Sequence, residues 1–394
     1  MHLFILAATN MHSYPFLQYI TDMCGVKRET LKVLFFDIDS EEKLPSQYIL
    51  EGIDIYYSKD WKDTSIYADV KNITTNSLSS FKGQAEFIHK IFDQNLAIYD
   101  QLIIRITDDE TDRWNKIYDN NDGILTISNK AHVDKFTLSI LEQASRFICL
   151  YRPWGKTLEK ILDRKLEIYN ISILVDPFAH AGTYNFYTSV LRPSVRKQTE
   201  SSKVIRVLIH TKSTPINKVL DILYKDLFSF IIHNGDLLNS RVLEVSLWWP
   251  TSIRSMPAFH LAIGSVVLLA KLKNIKIRFS FINSMPTEVY YSFLSSVHIL
   301  VAQNRGGLGA IFEASKIGSI VVFNKDSYNA EVYSGYGSIP FMECSENENI
   351  FKGSIKLFKD NNFEELLDKQ KSIAIRFFEE EFFKSKNILV DLYS

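Results

Sequence analysis

Cysteine, an excess of charge of either sign, and long apolar runs are all scarce in this chain of 394 residues. There are three cysteines, Cys24, Cys149 and Cys344, far apart and without a C-x-x-C pair. Neighbouring thiols therefore supply neither a disulfide framework nor a zinc site, and a reducing, cytoplasmic setting fits. Lys and Arg total 45 against 46 Asp and Glu, a net charge of -1. A protein that neutralises nucleic-acid phosphates carries a basic excess, so no nucleic-acid partner is expected. The longest apolar run, residues 261–270, falls far short of the roughly 20 residues that cross a bilayer. Residues 1–9 lack the basic segment of a signal peptide, and the apolar run stops at Thr9-Asn10, so they read as a buried strand. The protein is expected to be soluble, at most peripheral at the inner face of the cell membrane.

What is present is ordinary globular material. Hydrophobic residues make up 46% and charged residues 23%, enough for packed cores. At roughly 100–200 residues per domain, the length suggests two domains. Short β-rich apolar runs alternate with segments of helical period, the pattern of parallel sheets joined by crossover helices, so the class is α/β. In the first half, strands are expected over residues 3–7, 32–36, 53–57, 102–106, 124–127, 147–150 and 171–175. Helices are expected there over 14–23, 85–93, 111–118, 135–144 and 154–164. Residues 192–203 are polar and read as a linker. Beyond them the alternation starts afresh, with strands over 204–210, 242–248, 275–281, 297–302 and 320–323, and helices over 215–232, 257–272, 286–294, 309–317 and 363–392. Two tandem Rossmann-like domains are expected, residues 1–195 and 204–375, with 376–394 a terminal helix that could cross back to the first. Ligands of such folds bind outside the carboxyl ends of the strands, which makes a cleft between the domains the expected site.

The richest stretch runs from Val297 to Phe323. An apolar strand enters Gln303-Asn304-Arg305-Gly306-Gly307-Leu308-Gly309, a helix follows, Gly318 ends it, and a second strand begins. Glycines at a strand-to-helix turn let backbone N–H groups approach an anion, and a helix N-terminus adds about half a positive charge. Such a turn can cradle a phosphate. Glu313, inside that helix, could accept hydrogen bonds from ribose hydroxyls, or it is a solvated helix residue beside a merely tight turn.

In wider context this segment resembles the C-terminal domain of GT-B glycosyltransferases, particularly the retaining family with two glutamates eight residues apart around a Gly-rich loop. The resemblance includes the short helix read at Met285-Pro-Thr-Glu-Val-Tyr-Tyr-Ser-Phe-Leu-Ser-Ser296, the strand Gly318-Ser-Ile-Val-Val-Phe323, and the terminal helices around Asn362-Phe-Glu-Glu-Leu-Leu367 and Phe377-Phe-Glu-Glu-Glu-Phe-Phe383. The second family glutamate matches Glu313, whereas the first falls on Arg305. That departure puts a retaining mechanism in doubt. Arg305 could pair its planar fork with a phosphate or a sugar carboxylate, or it is an exposed loop charge. Similar enzymes clamp the donor pyrophosphate with two basic residues after the first strand of this domain. Lys212 and Lys218 stand at that spacing, although Val219 replaces the usual glycine. Asn283, Gly306, Gly307, Leu308 and Gly309 complete the donor side that the resemblance implies.

The first half is less similar. Where many relatives carry His-Asp after the strand at 124–127, this chain has Ser128-Asn129, and His132 is either a substitute or an ordinary histidine. Asp108 and Asp109, at a strand end, could act as a general base on an acceptor hydroxyl, or this stretch caps the following helix. Asp37-Ile38-Asp39 resembles a metal-binding D-x-D, but Glu41 stands where a hydrolase needs Thr or Val and the pair lies too early for the metal-dependent transferases, so no metal is expected. The resemblance thus implies a metal-independent glycosyltransferase without a cofactor. It would move a sugar from a nucleotide-diphosphate donor to a glycan, lipid-linked or protein acceptor, in bacterial surface polysaccharide or glycoconjugate synthesis. A sugar-nucleotide epimerase and a non-catalytic scaffold of the same fold remain alternatives.

Overall fold

The computed structural model describes every residue except 9–12, 44–49, 79–82, 107–109, 172–202, 211–215, 239–240, 249–255, 283–286, 305–306, 325–326, 328, 331–341, 345–348 and 358–362. The chain forms two compact units, Met1–Ala181 with Glu380–Ser394, and Gly182–Glu379. Each is an α/β unit around one parallel sheet. The expected linker at 192–203 lies, apart from Lys203, outside the described residues.

In the first unit the strands are β1 (His2–Leu6), β2 (Leu31–Phe35), β3 (Asp54–Tyr57), β4 (Asn72–Asn76), β5 (Leu102–Ile106), β6 (Arg146–Cys149) and β7 (Glu167–Asn170). They pair in the order β3-β2-β1-β4-β5-β6-β7, each neighbour parallel. The helices are α1 (Ser13–Gln18), which runs on as a π-helix over Tyr19–Met23, then α2 (Gln84–Asp93), α3 (Glu110–Asn120), α4 (Lys135–Gln143) and α5 (Arg152–Leu162). β1, β2 and β5 are buried along their whole length and read as near-continuous apolar runs, as strands covered on both faces do.

One strand expectation fails here. Residues 124–127 form no strand, and Ile124 and Ile127 stay 61% and 62% exposed. Their apolar alternation has no sheet to join, because the only pairing nearby is an isolated bridge between Ser128 and Val133. Of the strand expected at 171–175 only Ile171 is described, next to the end of β7. In the opposite direction, β4 (Asn-Ile-Thr-Thr-Asn) carries no apolar pattern yet is buried throughout. Its polar groups are matched one by one. Asn72 Nδ2 donates to Leu392 O at 2.6 Å, and Thr74 Oγ1 shares a 2.8 Å hydrogen bond with Tyr393 OH. Buried polar groups persist only when bonded in this way.

Those partners come from α12 (Phe363–Tyr393), whose last residues belong to the first unit. Leu389, Leu392 and Tyr393 join Phe4, Phe16 and Tyr19 in its core. His2 lies edge-on to Tyr393, ring centroids 5.4 Å apart. Burial first, then the positive chain terminus and Lys71, pull its pKa from 6.5 down to about 4. Between those values the unfolded chain holds a proton that the folded chain does not, so stability rises with pH through this window. Acidification from pH 6.5 toward 4 should therefore remove up to about 3 kcal/mol, at 1.36 kcal/mol per pKa unit. Urea midpoints taken across that range in the parent and in His2→Gln test this, since the variant should lose that part of the slope.

The second unit repeats the plan with β8 (Val204–Ile209), α6 (Ile216–Asp221), a π-helix over Ile222–Phe228, α7 (Ser229–Asn234), β9 (Val242–Trp248) and α8 (Pro257–Leu272). It continues through β10 (Ile277–Ile282), α9 (Thr287–Leu294), β11 (Ile299–Val301), α10 (Leu308–Lys316), β12 (Ile320–Asn324), β13 (Met342–Cys344) and α11 (Ile350–Leu357). The order is β10-β9-β8-β11-β12-β13, again parallel. The single helix expected over 215–232 is thus interrupted by a π-helical stretch. Among the described residues, no helix is long and apolar enough to cross a membrane.

Candidate functional site

In the second sheet the strand order reverses between β8 and β11. The connections leaving these paired strands run to opposite sides, and the gap at their carboxyl ends is where such sheets bind ligands. β8 is followed directly by His210, which is buried and whose N–H donates to Val301 O at 3.0 Å. β11 leads into Ala302-Gln303-Asn304.

Four side chains from four separate elements of the chain converge on that gap. His210 Nδ1 lies 2.6 Å from Gln303 Oε1, and His210 Nε2 lies 3.0 Å from Tyr290 OH. The Gln303 oxygen can only accept, so Nδ1 carries the hydrogen and Nε2 accepts from the tyrosine. Burial pushes the Tyr290 hydroxyl far above its ordinary pKa, which keeps it a donor. Trp248, the last residue of β9, stacks on His210 at 5.4 Å and meets Tyr290 edge-on at 5.2 Å.

Gln303 also shapes the turn. Gly307 caps α10 in the left-handed region, φ +72, and a Cβ built on it would stand 2.7 Å from Gln303 Nε2. Only glycine meets both demands, the positive φ and the close approach. Asn329 fixes the near side, its Nδ2 donating to Gln303 O at 2.7 Å and its backbone N–H to Asn304 O at 3.1 Å. α10 leaves from there, and the N–H groups of a helix's first turn have no intrahelical acceptor and carry the positive end of its dipole. Two turns along, Glu313 is 1% exposed and its carboxylate lies 3.3 Å from Lys316 Nζ, also buried.

Of the residues singled out by sequence, Gly307, Leu308, Gly309 and Glu313 therefore sit on one turn and its helix. Lys218 is half-buried in α6, on the connection leaving β8. Lys212, Asn283, Arg305, Gly306, Asp108 and Asp109 lie outside the described residues. His132, in the first unit, is half-buried with φ +54, closing a 3-10 turn over Asn129–Ala131. β5, the strand that precedes 107–109, carries Arg105, a buried cation, one residue before its end. Its guanidinium donates to Asn76 Oδ1 at 3.0 Å and lies 4.1 Å from the Phe16 ring centroid. Burial lowers its pKa to about 9 against the opposing influence of Tyr393 and Glu110.

Sequence reasoning did not single out His210, Trp248, Tyr290, Gln303 and Asn329 as site residues. The available signal was positional, since His210, Trp248 and Gln303 stand at, or within two residues of, the carboxyl end of a strand.

No protein family matches the chain by sequence, and neither does any curated relative. Solved structures match it by shape over nearly its whole length. A glycosyltransferase from Rickettsia africae is 12% identical, covering 99% of this chain and 98% of its own, with a TM-score of 0.57. HepE of Anabaena in complex with UDP is 12% identical, covering 96% of each chain, with a TM-score of 0.56. UDP-GlcNAc 2-epimerase from Neisseria meningitidis, bound to UDP-GlcNAc, is 12% identical, covering 100% of this chain and 99% of its own, with a TM-score of 0.53. At that identity the likeness speaks for architecture alone, and the architecture is the GT-B fold.

Proposed function

We propose that the chain transfers a sugar from a nucleotide-diphosphate donor, most simply a UDP-sugar, held at the carboxyl end of the second sheet. The observation that carries this reading is the left-handed Gly307 turn at the strand-order reversal, packed against Gln303, from which a helix N-terminus emerges. Backbone N–H groups of that turn would meet the diphosphate, with Lys212 and Lys218 facing them as the second half of the clamp. Arg305 would add a planar donor for a phosphate or a carboxylate on the sugar. Glu313, held by Lys316, would accept from the ribose hydroxyls.

In the reaction, the acceptor oxygen bonds the sugar's anomeric carbon as the bond from that carbon to the diphosphate oxygen breaks. The negative charge that develops on the leaving diphosphate is what the N–H groups and lysines stabilise. Acceptor binding falls to the first unit, where Asp108, Asp109 and His132 are the candidates to take the hydroxyl proton. The acceptor class we propose is a glycan, lipid-linked or protein substrate of bacterial surface glycoconjugate synthesis.

Titration calorimetry with UDP and with uridine tests the clamp. Lys218→Ala should weaken UDP roughly tenfold and leave uridine unchanged, because a charge-assisted contact contributes about 1.5–3 kcal/mol. Equal loss for both, or for neither, removes Lys218 from the diphosphate site. Incubating the protein with a UDP-sugar and no acceptor separates transfer from its rivals. An epimerised nucleotide sugar would identify an epimerase, and binding without turnover in any acceptor screen would identify a scaffold.

A further inference from the structure

A helix that is apolar all round belongs inside a protein or a membrane. α8 comes close to this, with His260, Ser265 and Lys271 its polar residues, and one side of it is open. Phe259, Ala262, Val266 and Ala270 face the core, packed toward the π-helix, α7 and β10. On the opposite side Leu261, Leu268 and Leu272 are 66%, 60% and 77% exposed, with Val267 beside them and Gly264 leaving a gap in the stripe. At 1.5 Å per residue the open stripe is about 16 Å long.

The charges around it are one-sided. From residue 245 to residue 287 the sequence holds five basic residues and no acidic one, in a chain whose acidic residues outnumber its basic ones by one. Lys271 at the end of α8, Lys273 and Lys276 in the connection after it, and Arg278 in β10 are exposed. A cavity of about 550 Å³ opens at the same end, and its lining includes His233, Asp236, Arg241, Lys273 and Lys276. This basic rim stands at the amino-terminal edge of the sheet, opposite the His210–Gln303 cluster.

We infer that the open face of α8 docks on a lipid surface of negative charge, its leucines entering the headgroup boundary and the lysines and arginines at its end meeting lipid phosphates. Apolar side chains in a stripe, flanked by an excess of cations (Lys271, Lys273, Lys276 and Arg278, with Asp236 the acidic group in the cavity lining), are the composition of interfacial helices. A second copy of the chain is the poorer occupant, because a two-fold contact through this face would bring together two rims that each carry more cations than anions. The inference is independent of the nucleotide reading, which concerns the other edge of the sheet.

Co-sedimentation of the full chain with phosphatidylcholine vesicles, with and without phosphatidylglycerol, tests it. The chain should partition onto the anionic vesicles and be released by salt. Leu261→Glu with Leu268→Glu should lower partitioning roughly tenfold or more, at unchanged melting temperature, since both side chains are already in water. Lys273→Gln with Lys276→Gln should weaken binding to anionic vesicles by a similar factor. UDP binding should be the same in both variants, so this result is read separately from the nucleotide test. Failure of the parent chain to bind anionic vesicles at low salt overturns the inference, as does undiminished binding by the double Glu variant. A dimer in sedimentation velocity that the Glu variant dissociates would assign the face to a second copy instead.

Discussion

Gly307→Ala should both destabilise the second unit and abolish measurable UDP binding. Two costs fall on one methyl group. An L-residue held at φ +72 costs about 1–2 kcal/mol relative to glycine. The new Cβ also meets Gln303 Nε2 at 2.7 Å, closer than the contact can tolerate, so the amide has to move. Its oxygen is the partner of His210 Nδ1, and its backbone carbonyl is held by Asn329, so displacement spreads through the whole turn.

If that turn presents its N–H groups to a diphosphate, affinity should fall by well over tenfold, because a shift of the donors weakens several bonds together. Gln303→Ala in the Gly307→Ala background separates the two costs. It removes the colliding amide and should return part of the melting temperature, while the backbone cost and the loss of nucleotide binding remain. Thermal melts with and without UDP read both effects, since a ligand of the folded state raises the melting point. Parent-like UDP affinity in Gly307→Ala would mean that this turn is not the cradle.

The fold was legible wherever burial is symmetrical. β1, β2, β5 and β12 are covered on both faces and advertise it as apolar runs, and the glycines at 307 and 318 mark the left-handed ends of their connections. β4 was not legible, because what makes Asn72, Thr74 and Thr75 acceptable in a buried strand lies elsewhere. Leu392 O and Tyr393 OH arrive from the far end of the chain, and Gln84 Nε2 donates to Thr75 Oγ1 at 3.0 Å and to Asn76 O at 2.6 Å. The reverse error at 124–127 has the same root. Alternation shows that a segment could cover a sheet, not that an edge is vacant for it.

The candidate site divides along the same line. Gly307, Gly309 and Glu313 share one continuous motif and could be read. His210, Trp248 and Tyr290 converge from three separate elements, and no local pattern marks a histidine whose partners are 38, 80 and 93 residues away.

The largest effect on stability should come from Tyr393, the penultimate residue. Its side chain is fully buried, stacked at a tilt on Phe4 at 5.3 Å, edge-on to His2, and bonded to Thr74. Tyr393→Ala leaves an aromatic-sized void between β1 and β4, for which comparable truncations cost about 3–5 kcal/mol. It also strips Thr74 Oγ1 of its bond in a fully buried position, adding about 1–3 kcal/mol. Tyr393→Phe keeps the packing and exacts only that second cost, so the pair of variants divides the effect into a packing and a polar share.

A chain ending at residue 388 should behave worse than either. It loses Leu389 and Leu392 with the tyrosine, and it removes the carbonyl that satisfies Asn72. Differential scanning calorimetry should show the transition of the first unit falling steeply in the order Phe, Ala, truncation. The second unit, which holds none of these contacts, should keep its own transition and its affinity for UDP. Melting of Tyr393→Ala at the parent temperature would show that the end of α12 is not seated in the first sheet in solution, and with it would go the explanation of how so polar a strand as β4 is buried.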